Sequence, residues 1–313
     1  MLRPRKKKSV AVIGYGSQGR AIALNLRDSG FDVVVGLRPG SRSRRRAGAD
    51  RIAVRTIAAA VGQANIVCFA FPDHLHARVF KRSIAPSLKD GATLWFLHAT
   101  SVHFGLLMPP DGCDVILVAP HAPGQAVREA YLGDRSLSAF HAVARNQSGA
   151  AGKTALDLAA GMGVSKKNLV RTSFAQESIG DLFGEQVVLC GGLAMLIKSG
   201  FDTLVKHGWK ADNAWLEVAY QLDLIVALIK RHGVAGMLER ISPAARFGSV
   251  SAGPRIIDRG TRSRMESLFR EIESGSFARK LARLDGQAIA RLRRELRKLT
   301  SPEMERAARK FSR

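Results

Sequence analysis

The stretch Val10-Ala11-Val12-Ile13-Gly14-Tyr15-Gly16-Ser17-Gln18-Gly19 decides the fold. Four apolar residues run straight into Gly-x-Gly-x-x-Gly, and a helical pattern begins directly behind it. Gly14 permits the tight turn, Gly16 lets backbone approach a pyrophosphate, and Gly19 lets helix and strand pack closely, while the helix N-terminus stabilises the anion. A bare glycine motif is a weak signal, and a structural glycine-rich turn is the alternative. Here the strand before and the helix after, which the motif requires, are both present, so a dinucleotide site is expected.

Outward from this turn the chain alternates short β-branched runs with helical patterns. Strands are expected at 9–14, 32–37, 65–71, 93–98, 114–119 and 139–144, each apolar on both faces as buried parallel strands are. Helices are expected at 18–29, 74–84 and 151–161. This rhythm predicts an α/β fold with a Rossmann-type doubly wound parallel sheet. After residue 174 the strands stop, and amphipathic segments follow at 180–198, 201–207, 213–231, 235–240 and 262–274. The division expected is a cofactor-binding domain over 1–173 and an all-α domain over 174–313, whose Arg-rich end from 277 reads as a solvated helix or frayed tail.

The end of the second strand selects the cofactor. An Asp or Glu there would bind the ribose diol of NAD. This chain reads Gly36-Leu37-Arg38-Pro39-Gly40-Ser41-Arg42-Ser43-Arg44-Arg45-Arg46, with no acid in the loop. Arg38, with Ser41 and Ser43 as hydroxyl donors, suits a 2′-phosphate through charge-assisted bonds. Some of the neighbouring arginines read as a solvated face.

Composition bounds the rest. The 313 residues are 46% apolar and 24% charged, which excludes disorder for most of the chain. Forty-nine Lys plus Arg against 26 Asp plus Glu give +23, a surface that attracts anions. Aromatics are only 6%, too few to interleave the arginines with stacking platforms, so nucleic acid is not expected as a partner. Much of the excess lies at the two ends, in Arg5-Lys6-Lys7-Lys8 and over 279–313. Cys68, Cys113 and Cys190 have no Cys-x-x-Cys partner and lie in apolar stretches, so buried thiols in a reducing compartment are expected. No run of eighteen unbroken apolar residues and no signal-peptide pattern occurs, so neither a membrane span nor secretion is expected, and the cytoplasm is the expected compartment.

Two polar pairs at i, i+4 stand in otherwise apolar helices: Asp181 with Glu185, and Glu217 with Gln221. Acids on such a face are a candidate site for a hard cation, most simply magnesium. Exposed acids paired with nearby Lys or Arg are the other reading.

Taken together, these residues carry a family resemblance. The chain resembles the short-form ketol-acid reductoisomerases (acetohydroxy acid isomeroreductases) over about residues 10–277. The resemblance rests on the glycine turn, Val35-Gly36-Leu37-Arg38, Val102-His103-Phe104-Gly105, Asp181-Leu182-Phe183-Gly184-Glu185-Gln186, Leu189-Cys190-Gly191-Gly192-Leu193 and Gly253-Pro254-Arg255. It implies an enzyme using NADPH and Mg2+ that moves an alkyl group within a 2-acetohydroxy acid of the acetolactate type. The product is then reduced to a 2,3-dihydroxy acid, in branched-chain amino acid biosynthesis. Asp181 would bridge two metals and Glu185 would ligate one. Glu217 would reach the other metal from the second subunit of a homodimer or larger homo-oligomer, with Gln221 beside it. Ser242 would hold the substrate carboxylate, and His98 would lie beside nicotinamide and substrate. Gly124 joins Gly14 to Gly19 and Arg38, Ser41 and Ser43 in the cofactor site. The helical domain would be knotted, an exception to the rule against threading. Read without the resemblance, Ser242 caps a helix and His98 ends a strand as a satisfied polar residue.

Three departures fall within the expected site. Gln221 stands where the family has a second glutamate, His121 where it has a lysine, and Ser242-Pro243-Ala244-Ala245 where it has Ser-Asn-Thr-Ala. Losing one carboxylate and one ammonium keeps the formal charge balanced while changing the chemistry. The alternatives are a paralogue that reduces another 2-keto acid or imine without isomerisation, and a non-catalytic NADP-binding protein.

Overall fold

Alternation along the strands builds two cores, one on each face of a sheet. In β1 (Ser9–Ile13), Val10 and Val12 join Ile22, Leu26, Trp95, Ile116 and Leu158 on one face. Ala11 and Ile13 join Val67, Phe69, Leu94, Phe96 and Leu117 on the other. A strand apolar at every position can bury both faces only between two helical layers, which is why these runs pair in parallel. The computed structural model describes residues 8–312, so Arg5, Lys6 and Lys7 of the basic N-terminal stretch lie outside the described residues.

The sheet has eight strands in the order β3-β2-β1-β4-β5-β6-β7-β8, with β2 (Asp32–Gly36), β3 (Ala53–Arg55), β4 (Ile66–Phe69), β5 (Thr93–Phe96), β6 (Asp114–Pro120), β7 (Ala139–Arg145) and β8 (Leu169–Arg171). The chain leaves β1 towards β2 and β3 and returns to place β4 on β1's other side. That reversal opens a crevice at the carboxyl ends of β1 and β4, where ligands of such sheets bind.

Two strand expectations are corrected. β7 runs antiparallel to β6, and its outer half is exposed, with Val143 at 41%. β3 and β8 were not foreseen; at three residues each they are too short for a periodic pattern. The helix expected over 74–84 is broken into Asp73–Leu75, His76–Val79 and a π-helical turn Phe80–Ile84. The helix Ala151–Gly161 has the expected bounds.

The chain forms two compact units: one runs to Gly180 and takes back Gly275–Arg283, and the other comprises Asp181–Ser274 and the chain from Leu284. The second unit is helical around a small core of Phe201, Ala214 and Met304. The tail therefore does more than fray. Its last helix, Pro302–Lys310, buries Met304 and Ala307, pairs Lys310 with Asp212, and leads to Phe311 edge-on to Tyr220. The helix Pro243–Ile256 was not foreseen, because its apolar residues follow no helical stripe.

Apolar surface is abundant in this unit. Neither Leu222–Glu239 nor Pro243–Ile256 buries a single residue, and Phe247, Val250 and Ile256 are exposed. The helical run Phe174–Lys206 is, by length and composition, the one described segment long and apolar enough to cross a membrane, although it holds no unbroken apolar run of eighteen residues. Only 6% of its most apolar stretch is buried. Cys68 and Cys113 are buried as expected, but Cys190, within that run, is exposed.

Candidate functional site

Gly14 has φ +99°, a conformation open to glycine, and a Cβ there would run into the Ala70 carbonyl. Its amide donates to the Gly36 carbonyl at 3.1 Å, which pins the turn to β2. A Cβ on Gly19 would lie 2.6 Å from the Gly14 carbonyl oxygen, so helix and turn are in close contact. Gly16 differs: its Cβ position has no atom within 4 Å. Gly16 also precedes the helix Ser17–Asp28, whose first turn has neither a side-chain cap nor an acidic residue. Uncapped amides facing open space suit an anion, so the turn fits a pyrophosphate.

Tyr15 offers only its backbone to such a ligand. Its side chain is buried, and its hydroxyl donates to Asp50 Oδ2 at 2.9 Å. Arg20 grips the same carboxylate through two bonds of 2.7 Å. The Arg20 bond holds Asp50 below the usual carboxylate range, and burial with the Asp50 bond pushes the Tyr15 phenol up. Gln18 donates to the Ala122 carbonyl at 2.7 Å, and a Cβ on Gly124 would strike the Ser17 backbone. Two helix N-termini, at Ser17 and Gly124, therefore meet. Beside them lies a cavity of about 600 Å³ lined by Arg20, Arg46 and Arg128, none of them foreseen as part of the site.

At the end of β2, Leu37 is buried and Arg38 is exposed. The turn Arg38–Ser41 is closed by the Ser41 amide on the Arg38 carbonyl, with Gly40 at φ +71°. Ser41 Oγ accepts from the Ser43 amide at 3.4 Å, and the helix Ser43–Ala49 has no acid in its first turn. Arg38, Ser41 and Ser43 are thus grouped on one turn, with no carboxylate in it.

His98 follows β5 and is 18% exposed. Its Nε2 lies 3.2 Å from Thr100 Oγ1, which is 2.8 Å from Ser178 Oγ. Its Nδ1 lies 3.8 Å from Asp73 Oδ2. Asp73 was not singled out from the sequence, although Pro72-Asp73 in the loop after β4 was the available signal. Nearby, buried Glu177 accepts the Ala99 amide at 2.8 Å. His121 is set against the sheet, its Nδ1 3.1 Å from Ser138 Oγ and its ring edge-on to Phe140 at 4.2 Å.

In the helical unit, Asp181 lies in the last turn of the α-helical stretch that ends at Gly184, and Glu185 opens a π-helical turn, Glu185–Leu189. Cβ atoms on Gly191 and Gly192 would strike the Gln186 and Val187 carbonyls, so this turn requires both glycines. Glu217 lies in a second π turn, Leu216–Tyr220, and Gln221 donates its side-chain amide to the Leu216 carbonyl at 3.3 Å. All four side chains belong to exposed residues of the single chain. Among the described residues no three His, Cys, Asp or Glu side chains converge on a point that could hold a metal, so Glu217 does not join Asp181 and Glu185 within one copy. Carboxylate oxygens are suitable ligands for magnesium, but the described residues of one chain bring too few together. Ser242 caps the helix Pro243–Ile256, accepting the Ala245 amide at 3.2 Å, which is the role read for it without the resemblance.

Comparison with known proteins gives concordant matches. Residues 5–168 match the family model described as acetohydroxy acid isomeroreductase, NADPH-binding domain, and residues 174–312 match ketol-acid reductoisomerase, C-terminal domain. A Pyrobaculum aerophilum protein named ketol-acid reductoisomerase (NADP(+)) is 46% identical over 278 residues, which is 89% of this chain and 85% of the relative. One of the same name from Xylella fastidiosa is 43% identical, over 89% of this chain and 81% of its own. The solved structure of an NADH-preferring ketol-acid reductoisomerase from an uncultured archean is similar with a TM-score of 0.92 and 35% identity, covering 97% of this chain and 95% of the other.

Proposed function

The chain belongs to the ketol-acid reductoisomerase family, and from that premise we propose that it isomerises a 2-acetohydroxy acid of the acetolactate type with Mg2+ and reduces it with NADPH to a 2,3-dihydroxy acid, in branched-chain amino acid biosynthesis. One observation carries the reading: a single chain matches both family models, so the glycine turn and the Asp181–Glu185 pair occur together. The functional division lies between the cofactor domain, 1–173, and the helical metal and substrate domain, 174–313.

The open cradle at Gly16 receives the pyrophosphate against uncapped helix amides, with Gly14, Gly19 and Gly124 giving the close packing around it. The backbone of Tyr15, Ser17 and Gln18 shapes the same turn. Arg38, with Ser41 and Ser43, takes the 2′-phosphate, which is the basis for NADPH over NADH. Asp181 and Glu185 hold magnesium from one subunit, and Glu217 with Gln221 completes the set from a second copy. When bound, magnesium supplies Lewis-acid activation of the substrate oxygens and NADPH supplies the hydride. His98 lies beside the nicotinamide and substrate, and Ser242 with the helix N-terminus it caps receives the substrate carboxylate.

A homodimer or larger homo-oligomer follows from the same reading. Two long helices with nothing buried, and an apolar run that is 6% buried, are surfaces that a soluble monomer rarely exposes. A second copy covers them and brings the separated carboxylates together. The cytoplasm is its compartment, in keeping with free thiols at Cys68, Cys113 and Cys190.

The test is NADPH oxidation with 2-acetolactate and with 3-hydroxy-3-methyl-2-oxobutyrate, each with and without magnesium. Magnesium-dependent turnover of acetolactate supports the proposal. Turnover of only the already isomerised ketone, insensitive to magnesium, would sink it in favour of a simple reductase, and cofactor binding without turnover would leave a binding protein.

A further inference from the structure

We propose that Asp73 is the positioning residue for His98, a role that rests on the placement of His98 beside the reacting atoms given above. Asp73 and His98 leave the carboxyl ends of adjacent strands, β4 and β5, which pair at Phe69 and Phe96. Asp73 Oδ2 faces His98 Nδ1 at 3.8 Å, longer than a hydrogen bond and within ion-pair range. Catalytic hydrogen bonds are often long in ligand-free structures and tighten in the complex.

The second imidazole near Asp73 has no proton to give it. His76 is 2% exposed and fully engaged: its Nε2 lies 2.9 Å from the Phe71 carbonyl and its Nδ1 2.9 Å from Ser101 Oγ. A carbonyl can only accept, so Nε2 carries the proton, and in the neutral ring Nδ1 accepts from Ser101. Burial lowers the pKa of His76, which favours the neutral ring. Asp73 Oδ1, 3.5 Å from that Nδ1, is accordingly buried without a hydrogen-bond partner among the described residues. Burial pushes the Asp73 carboxyl up, but the interaction with His98 outweighs it and holds the carboxyl below its ordinary range, so it is an anion.

His98 Nδ1 is thus the imidazole donor left to Asp73. An N–H held there fixes the ring plane and leaves Nε2 as the acceptor for the Thr100 hydroxyl, 3.2 Å away. A buried carboxylate behind a functional imidazole orients the ring and selects its tautomer in this way. Other charged groups stand nearby. Glu177 is bonded to the Ala99 amide, and Arg279 and Lys280 lie on the helix Ser276–Ala282 that packs on the Asp73–Leu75 turn.

The experiment compares Asp73→Asn, Asp73→Glu, His98→Asn and the double variant Asp73→Asn/His98→Asn, by steady-state turnover of acetolactate and by NADPH titration of each. Asp73→Asn should lower kcat about 10- to 100-fold, the range for losing an orienting partner, with the NADPH affinity and KM unchanged. Asp73→Glu should recover most of kcat, and Asp73→Asn should cost nothing further in the His98→Asn background. A kcat for Asp73→Asn within about twofold of wild type, or a loss that multiplies onto that of His98→Asn, overturns the proposal. If His98→Asn itself retains wild-type kcat, the placement of His98 falls and this inference with it. If only Asp73→Asn is active, the placement stands and the inference alone fails.

Discussion

Gln18 donates its side-chain amide to the carbonyl of Ala122 at 2.7 Å, and this bond ties the glycine-rich turn to the loop that ends in Gly124. The tie leaves no room for a side chain between the two helix N-termini. In Gly124→Ala the new methyl meets the Ser17 carbonyl and the Gln18 amide, and backbone cannot swing aside as a side chain can. The variant should lose about 1–3 kcal/mol of stability to overpacking and should bind NADPH at least about tenfold more weakly, read by thermal melts and fluorescence titration.

Two glycines of the turn, Gly14 and Gly16, should separate by readout. Gly14→Ala imposes a positive φ and a collision with Ala70, so it should destabilise the fold by more than about 1 kcal/mol with or without cofactor. Gly16→Ala, at φ −79° with open space around it, should stay within about 0.5 kcal/mol of wild type. Its methyl would occupy the cradle, so its NADPH affinity should still fall. Equal effects of the two substitutions on melting temperature would contradict the division.

Arg38 is exposed on a turn without a carboxylate, so its contribution should be confined to the cofactor's 2′-phosphate. Arg38→Ser should raise the KM for NADPH roughly 10- to 100-fold while changing that for NADH little, since a charge-assisted bond to phosphate is worth on the order of 1.5–3 kcal/mol. The ratio of kcat/KM for the two cofactors is the measurement.

Asp50 should give the fold an acid sensitivity. The bond from Arg20 depresses its folded-state pKa, so its stabilisation is complete above the unfolded carboxylate range and is lost as pH falls through the folded value. Asp50→Asn should therefore flatten the fall in melting temperature below about pH 4, and should cost on the order of 1–3 kcal/mol near neutrality by unpairing Arg20 and Tyr15.

The sheet unit was legible wherever one rule decided the outcome. Val10 to Ile13 could only be a strand buried on both faces, and Gly14 to Gly19 could only serve a turn and a close helix. β7 misled because Ala139-Phe140-His141-Ala142-Val143 is apolar enough to read as buried, while the direction of pairing with β6 leaves no trace in composition. Asp73 escaped notice because its meaning lies in a neighbour from another strand, 25 residues away in sequence terms for His98 and known only once β4 and β5 pair. In the helical unit, Glu217 and Gln221 keep their spacing, but a π turn alters which face they share. The helix Pro243–Ile256 was illegible for a further reason: with nothing buried in one copy, its pattern answers to a surface that a single chain does not contain.

Gln221 allows two opposed effects to be read from one substitution. Its side-chain amide donates to the Leu216 carbonyl at 3.3 Å, where the π turn ends and the helix Leu222–Glu239 begins. A glutamate there has no proton for that bond and sets a carboxylate against a carbonyl oxygen. Without magnesium, Gln221→Glu should therefore melt lower, by a loss of about 0.5–1.5 kcal/mol for a hydrogen bond of this kind. With magnesium the sign should reverse, because a second anionic oxygen beside Glu217 strengthens the attraction for a hard cation. The melting temperature of the variant should then rise more steeply with magnesium concentration than that of the wild type, as linkage requires of a tighter site. Parallel magnesium curves for the two proteins would place Gln221 away from the metal and leave the Leu216 bond as its only role.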